Sequence, residues 1–127
     1  MSKPTFTASV VSIQRVGGWC DVEGYRLDAL PLLAVTPSVE RAGAWVVTHI
    51  PTGYALSVDI DGQDAAKWAA WYLADEGEKR GVQWAGSVRQ IEAQAGIAKP
   101  LVEVMELAVQ SDTWQSLAPW LTETATA

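Results

Sequence analysis

The chain has 127 residues and a mass of 13.7 kDa, enough for one domain that buries a core without disulfides. Its formal charge of -6 and pI near 4.6 disfavour a direct nucleic-acid partner, because affinity for phosphates rests largely on Lys and Arg. The sequence has no apolar run of membrane-spanning length and no signal-peptide pattern, and its single cysteine, Cys20, fits a reducing compartment. We therefore predict a cytoplasmic protein, of a cell or of an infected host, with no membrane partner.

Two strands are predicted at the N-terminus. Thr5 to Val16 alternates polar and apolar residues, and its apolar phase shifts at Val10 and Val11, which predicts a bulge there. Gly17-Gly18 ends this strand, and Trp19 to Leu27 can return beside it as the second strand.

Prolines bound the next segment. Leu30 to Val35 is a short apolar run between Pro31 and Pro37, which favours an edge strand or an extended segment over a helix. Residues 37–43 then predict an exposed turn that leads into the strongest pattern of the chain.

That pattern is a hairpin from Trp45 to Ile60. Pro51-Thr52-Gly53 suits a three-residue turn, since proline sets the first position and glycine accepts the left-handed third position. If Ile50 pairs with Tyr54, alternation divides the hairpin into two faces. The predicted core face contains Val46, Thr48, Ile50, Tyr54, Leu56, Val58 and Ile60. The opposite face contains Trp45, Val47, His49, Ala55, Ser57 and Asp59, and its mixed character predicts a half-covered surface or a partner contact.

A central helix is predicted over residues 61–81. Asp61 suits the N-cap, Asp64 places negative charge in the first turn, and Gly81 suits the left-handed C-terminal position. A buried stripe follows helical spacing through Ala65, Trp68, Ala69, Tyr72 and Leu73.

Short helices are predicted over residues 87–122. Ser87 and Gln90 form a capping box, Gly96 ends that helix, and Pro100 begins another. The second helix has an apolar face of Leu101, Val104, Met105, Ala108 and Val109. Ser111 or Asp112 can cap a last segment that carries Trp114, Leu117 and Trp120, and residues 122–127 are expected to fray.

These elements predict an α+β fold in a single domain of residues 1–127. Residues 1–60 are mainly strands of an antiparallel sheet, the central helix covers one face of that sheet, and the C-terminal part is helical.

The segment from Ser87 to Val104 resembles the helix-turn-helix of bacterial repressors, with Ala95-Gly96-Ile97 at the turn. Glu92 stands where such motifs usually carry a small alanine, and the second helix offers Glu103 and Glu106 where DNA-contacting side chains are expected. An ordinary packing unit of two helices is the favoured interpretation.

Catalytic and metal-binding patterns are weak. His49 and Cys20 are the single histidine and thiol, so a nucleophile and base pair would require that the fold bring them together. Asp59, Asp61 and Asp64 lack the spacing of a calcium loop, and Gly17-Gly18 lacks the later residues of a phosphate loop. We predict no cofactor, no metal and no catalytic residue.

The seven tryptophans are the remaining signal. Trp68 and Trp71 fit the core, and Trp19 can belong there as well, whereas the others are harder to bury in a domain of this size. Tryptophan is enriched at the centres of protein interfaces, although a large aromatic core is an equal alternative. The predicted partner-binding residues are Trp45, Val47, His49, Asp59, Trp84 and Trp114.

The stretch from Trp45 to Gly53, running into an alanine-rich helix, resembles small uncharacterised proteins carried by bacteriophages and other mobile elements. This resemblance implies a small, acidic, non-enzymatic protein of a class that includes inhibitors of bacterial defence complexes. The first hypothesis is therefore a protein-binding module with a protein partner, and self-association is left open. The alternatives are a nucleic-acid-binding regulator that uses Ser87 to Val104 and a small enzyme that uses His49 or Cys20.

Overall fold

A computed structural model describes residues 3–15 and 17–121, apart from the side chain of Val88. An antiparallel sheet occupies the first half and helices follow it, so the predicted α+β class is confirmed. The strands are β1 Phe6–Arg15, β2 Gly18–Leu27, β3 Leu33–Pro37, β4 Ala44–His49, β5 Tyr54–Ala55 and β6 Ile60–Asp61. The helices are α1 Gln63–Lys79, α2 Val88–Glu92, α3 Ala95–Gln110 and α4 Trp114–Leu117.

The strands lie in the order β1, β2, β3, β4, and both β5 and β6 pair with β4. The third strand is therefore interior. Of the two predicted alternatives the edge strand was wrong, whereas the extended packed segment is confirmed, since Leu33 to Thr36 are buried. Proline is tolerated there because Pro37 is the last residue of β3 and Pro31 precedes the strand.

The first two strands pair without interruption from Phe6–Leu27 to Arg15–Gly18, so the predicted bulge is absent. The apolar phase changes for another reason. Phe6 packs against the cluster beneath α1, whereas Val11 and Ile13 belong to a second cluster on the opposite face of the sheet. In each part of β1 the apolar side chains therefore lie on the side of the strand that is covered there.

The hairpin of β1 and β2 is called the β1–β2 ribbon below. The half of this ribbon that lies nearer its turn covers the second face of the sheet. Its apolar side chains pack with Ala34 and Ile50, and the Gln14 amide donates to the Gly53 carbonyl at 2.8 Å. A Cβ atom at Gly24 would lie 2.6 Å from the Val35 carbonyl oxygen, so close approach of the ribbon to β3 requires glycine there. Thr36 and Thr48 share a 2.8 Å hydrogen bond in this buried layer.

The helix α1 covers the other face. Trp68 is fully buried in the main core, which also contains Leu33, Val35 and Val47, as its helical spacing predicts. The N-cap is Gly62 instead of the predicted Asp61, which lies in β6 and forms a 2.8 Å ion pair with Arg41.

The C-terminal end of α1 matches its prediction. Gly81 has a φ of +79°, and the Val82 amide donates to the Gly77 carbonyl at 2.8 Å. This glycine therefore takes the left-handed position that ends the helix.

The hairpin turn contains one more residue than predicted. His49 pairs with Tyr54 and Thr48 with Ala55, so the turn spans residues 50–53. The shift places Tyr54 on the side of His49 instead of that of Ile50. The predicted core face is confirmed in part, since Thr48 and Ile60 are buried and Ile50 and Leu56 are partly buried. Val47 and His49 lie in the core, whereas Tyr54 and Val58 are exposed.

The C-terminal helices retain part of the predicted pattern. The capping box of Ser87 and Gln90 is present, but the turn after α2 is residues 93–94. Gly96 and Pro100 therefore lie inside α3, which corrects their predicted roles as a helix end and a helix start. The helix α4 follows Thr113 instead of Ser111 or Asp112.

The predicted apolar face of α3 is largely covered. Leu101, Met105 and Ala108 are buried as predicted, Val109 is partly buried against the core, and Val104 is exposed. The predicted frayed end, residues 122–127, is outside the described residues.

Two glycine substitutions should have opposite effects on stability. Gly24→Ala should lower the free energy of unfolding by about 1–3 kcal/mol, because its Cβ collides with the backbone of β3. Gly96→Ala, which meets nothing within 4 Å in α3, should raise it by up to about 1 kcal/mol. Urea unfolding monitored by tryptophan fluorescence measures both, and equal midpoints for the two variants would contradict the close approach at Gly24.

Candidate functional site

The predicted partner-binding residues lie mostly inside the fold. Buried members of that set are Val47, His49, Trp84 and Trp114. Trp45 is half-buried, with its ring centroid 6.1 Å from that of Tyr25, and the Asp59 carboxylate is 3.8 Å from the Arg41 guanidinium. The side of β4 that was predicted to be half-covered or to contact a partner is covered by α1 at Val47 and His49.

His49 connects the hairpin turn to the segment after α1. Its Nε2 donates to the Trp84 carbonyl, and its Nδ1 lies 2.8 Å from the Thr52 hydroxyl. Because a carbonyl only accepts, Nε2 carries the proton of this hydrogen bond, and Nδ1 makes a second hydrogen bond with the Thr52 hydroxyl. Both ring nitrogens are thus used in holding two loops together, which is a structural role.

Cys20 and His49 lie on opposite faces of the sheet. Cys20 packs beside the cluster of Val11 and Ile13, whereas His49 faces the α1 side, where it contacts Trp84. The sheet backbone therefore separates the thiol from the imidazole. This arrangement excludes the pair of nucleophile and base that an enzyme using both residues would need.

A cleft of about 350 Å³ lies beside the second half of α1. Trp71, Trp84, Leu27 and Leu30 contribute to its apolar wall, with Asp75 and Glu78 among its polar lining residues. The lining contains neither His49 nor Cys20.

The three aspartates considered as metal ligands do not form a cluster. Arg41 contacts Asp59 and Asp61, while Asp64 lies in the first turn of α1, where the helix dipole favours it. Across the part of the chain that the structure describes, no three His, Cys, Asp or Glu side chains are grouped as a metal site would require.

The segment that resembles a helix-turn-helix differs from that motif in its turn. Residues 95–97 form the first turn of α3 instead of the connection between helices. Glu92, Lys99 and Glu103 are all exposed, so the surface of this segment carries mixed charge. A phosphate-binding surface would need an excess of basic side chains.

Trp19 is the exception among the tryptophans. Its side chain is 56% exposed, although Trp19 was predicted as a possible core residue. It pairs with Gln14 near the tip of the β1–β2 ribbon, and its ring lies against Gly53, where an added Cβ would overlap it. The hairpin turn therefore supports the ring from below while leaving much of its surface in solvent.

Two further apolar side chains are exposed in this region. Tyr54, next to Gly53, is 52% exposed and Val39 is 45% exposed. Tyr54 and Val39 line a shallow depression of about 470 Å³ together with Gln14, Arg15 and Glu40. We refer to Trp19, Val39 and Tyr54 as the aromatic patch.

Acidic side chains adjoin the aromatic patch along β2. Asp21 and Glu23 alternate with Trp19 on the same side of the strand, and both are exposed. The Ser12 hydroxyl donates to the Asp21 carboxylate at 2.6 Å, which fixes the orientation of this group.

One signal in the sequence could have identified this patch. Gly17-Gly18 marks a hairpin tip, and a tryptophan that directly follows a tip has fewer neighbours than one in mid-strand. Tyr54 was assigned to the core because the predicted register paired it with Ile50, whereas it pairs with His49 and is 52% exposed.

Three ionisable groups have shifted pKa values. Hydrogen bonds from Thr7 and Thr5 lower the pKa of Asp28, burial raises the pKa of Tyr72, and the hydrogen bond to Asp75 raises the pKa of Lys79. All three lie outside the aromatic patch. They report local packing and ion pairing.

Comparison with family models, characterised proteins and solved structures finds no match to this chain. Among the described residues, no helix is both long and apolar enough to cross a membrane.

Replacing His49 should affect stability. His49→Phe keeps the ring but leaves the buried Trp84 carbonyl and the Thr52 hydroxyl without this partner, which should cost about 1–3 kcal/mol of unfolding free energy. Val58→Ala, at an exposed position after the same hairpin, should change it by less than about 0.5 kcal/mol. An unfolding midpoint for His49→Phe equal to that of the parent chain in urea would refute the structural role of the His49 hydrogen bonds.

Proposed function

We propose that this chain is a non-enzymatic protein-binding module that acts by occupying a surface of its partner through the aromatic patch. The observation that carries the proposal is the exposure of Trp19 on a supported strand, while Trp68, Trp84, Trp114 and Trp120 are buried. Exposed tryptophan and tyrosine side chains supply large contact areas with little conformational entropy to lose.

The position of the patch favours binding without rearrangement. Trp19 rests on Gly53, and the Gln14 amide ties the ribbon to that turn. An anchor that is already held in place loses less entropy on association than one on a mobile loop.

Charge indicates the kind of partner. Asp21 and Glu23 flank Trp19, and the chain carries a net charge of -6. These carboxylates suit a protein surface with an apolar pocket rimmed by Lys or Arg, because complementary potentials accelerate encounter and fix orientation. Proteins that bind nucleic acids present such basic surfaces.

The resemblance to proteins of bacteriophages suggests a more specific partner. A bacterial defence complex that binds nucleic acid would offer a basic surface, and a small acidic protein seated on it would block access by occlusion. This part of the proposal depends on the resemblance and on the charge of the chain.

Substitution in the patch should weaken specific binding. Tagged parent chain, Trp19→Ala and the control Leu107→Ala, exposed on α3, are used to capture proteins from a bacterial lysate, and captured proteins are identified. A protein bound by the parent and the control, but lost with Trp19→Ala, is then purified and titrated directly. We expect Trp19→Ala to raise the Kd at least about tenfold. The Kd of the parent chain should rise with salt.

Circular dichroism and thermal unfolding of each variant check that the fold is kept. Capture that is equal for all three chains, or direct titration in which Trp19→Ala binds as tightly as the parent, would contradict binding through the aromatic patch.

A further inference from the structure

One edge of β1 lacks a neighbouring strand among the described residues. This strand has ten residues and pairs with β2 on one side. On its other side, the Gln14 amide reaches the Gly53 carbonyl, and no strand of the described chain pairs with the remainder.

Two hydrogen bonds establish which backbone groups point outward. The Thr5 carbonyl accepts from the Asp28 amide in the direction of β2, whereas the Gln14 amide points away from β2 towards Gly53. Backbone groups in a strand alternate between its two neighbours, so the even-numbered residues direct both their amides and their carbonyls outward. Outward groups before Gln14 belong to Phe6, Ala8, Val10 and Ser12.

These groups lack backbone partners within the described residues, and the Val10 carbonyl has only a long 3.4 Å contact with the Ser9 hydroxyl. Ala8, Val10 and Ser12 are exposed, and Val10 is 62% exposed. From Phe6 to Gln14 the strand contains no charged residue, no proline and no bulge. Natural edge strands usually carry such features, because an uninterrupted, uncharged edge is a template for pairing with another strand.

We propose that the β1 edge pairs with the β1 edge of a second copy of this chain, antiparallel and about a two-fold axis at Ser9. The open window runs from Phe6 to Ser12, since the contact of Gln14 with Gly53 closes it at one end, and Ser9 is its midpoint. Ala8 then faces Val10 of the second copy, and Phe6 faces Ser12. In this register, residues with outward amides and carbonyls in one copy lie opposite residues with outward amides and carbonyls in the other, as a two-fold interface requires.

The negative charge of the chain does not oppose this pairing strongly. The acids nearest to the edge, Asp21 and Glu23, are on β2. At about 4.8 Å between strands, the two β2 strands of a dimer would be about 14 Å apart, beyond the screening length of about 8 Å at physiological ionic strength.

The dimer would carry two aromatic patches related by the two-fold axis. Trp19 pairs with Gln14, outside the open window, so this pairing leaves it accessible. The inference is independent of the proposed function, because self-association is measured on the isolated chain.

Sedimentation velocity of the full chain over about a hundredfold range of concentration tests the proposal. We expect a reversible dimer for the parent chain, a monomer for Val10→Lys, and an unchanged dimer for Leu107→Lys, which places the same charge on exposed α3. Ala8→Pro is a second variant, because it removes an outward amide and leaves the bonds to β2 intact.

Hydrogen exchange read residue by residue by NMR identifies the edge. Protection of the Ala8, Val10 and Ser12 amides should rise with concentration, while the Thr7, Ser9 and Val11 amides, bonded to β2, stay protected throughout. A parent chain that is monomeric over the whole range overturns the proposal. A dimer that survives in both Val10→Lys and Ala8→Pro, or is lost in Leu107→Lys, overturns it as well.

Discussion

The packing of α1 against β3 and β4 determines which side of the central strands faces the core. Trp68 of this helix is fully buried, and Leu33, Val35 and Val47 lie with it in one cluster. Once that face of β4 is committed to α1, Thr48 and Ile50 must face the other way, where the β1–β2 ribbon covers them. Removing apolar surface from water on both sides of the sheet is the main stabilising contribution available to a domain of this size.

Burial on both faces also explains what sequence patterns could and could not predict. The helix boundaries near Gly81 and Ser87 were readable because they depend on local backbone geometry. The face of β4 was not readable, since its sequence is nearly continuous in apolar residues and alternation cannot choose a side. The predicted register was wrong as well, because the turn contains one more residue and Tyr54 pairs with His49 instead of Ile50.

The candidate site was harder still to predict. Whether a tryptophan is exposed at an interface or buried in the core depends on which elements, distant in sequence, cover it. Sequence patterns do not contain this information about tertiary structure. Trp84 is buried beside His49, and Trp114 is buried against Trp68. Trp19 is left exposed because it lies at the end of a ribbon that covers the sheet with its opposite side. The composition suggested an aromatic interface, which stays a proposal, and the path of β2 determines where a tryptophan is exposed.

Fluorine NMR of the chain labelled with fluorotryptophan would test this arrangement most directly. It gives one resonance for each of the seven tryptophans, assigned by single replacements with phenylalanine. On transfer from water to heavy water, the Trp19 resonance should show the largest solvent isotope shift, and those of Trp68, Trp84 and Trp114 should show almost none. A protected Trp19, or a solvent-accessible Trp84 or Trp114, would contradict the placement of both the core and the aromatic patch.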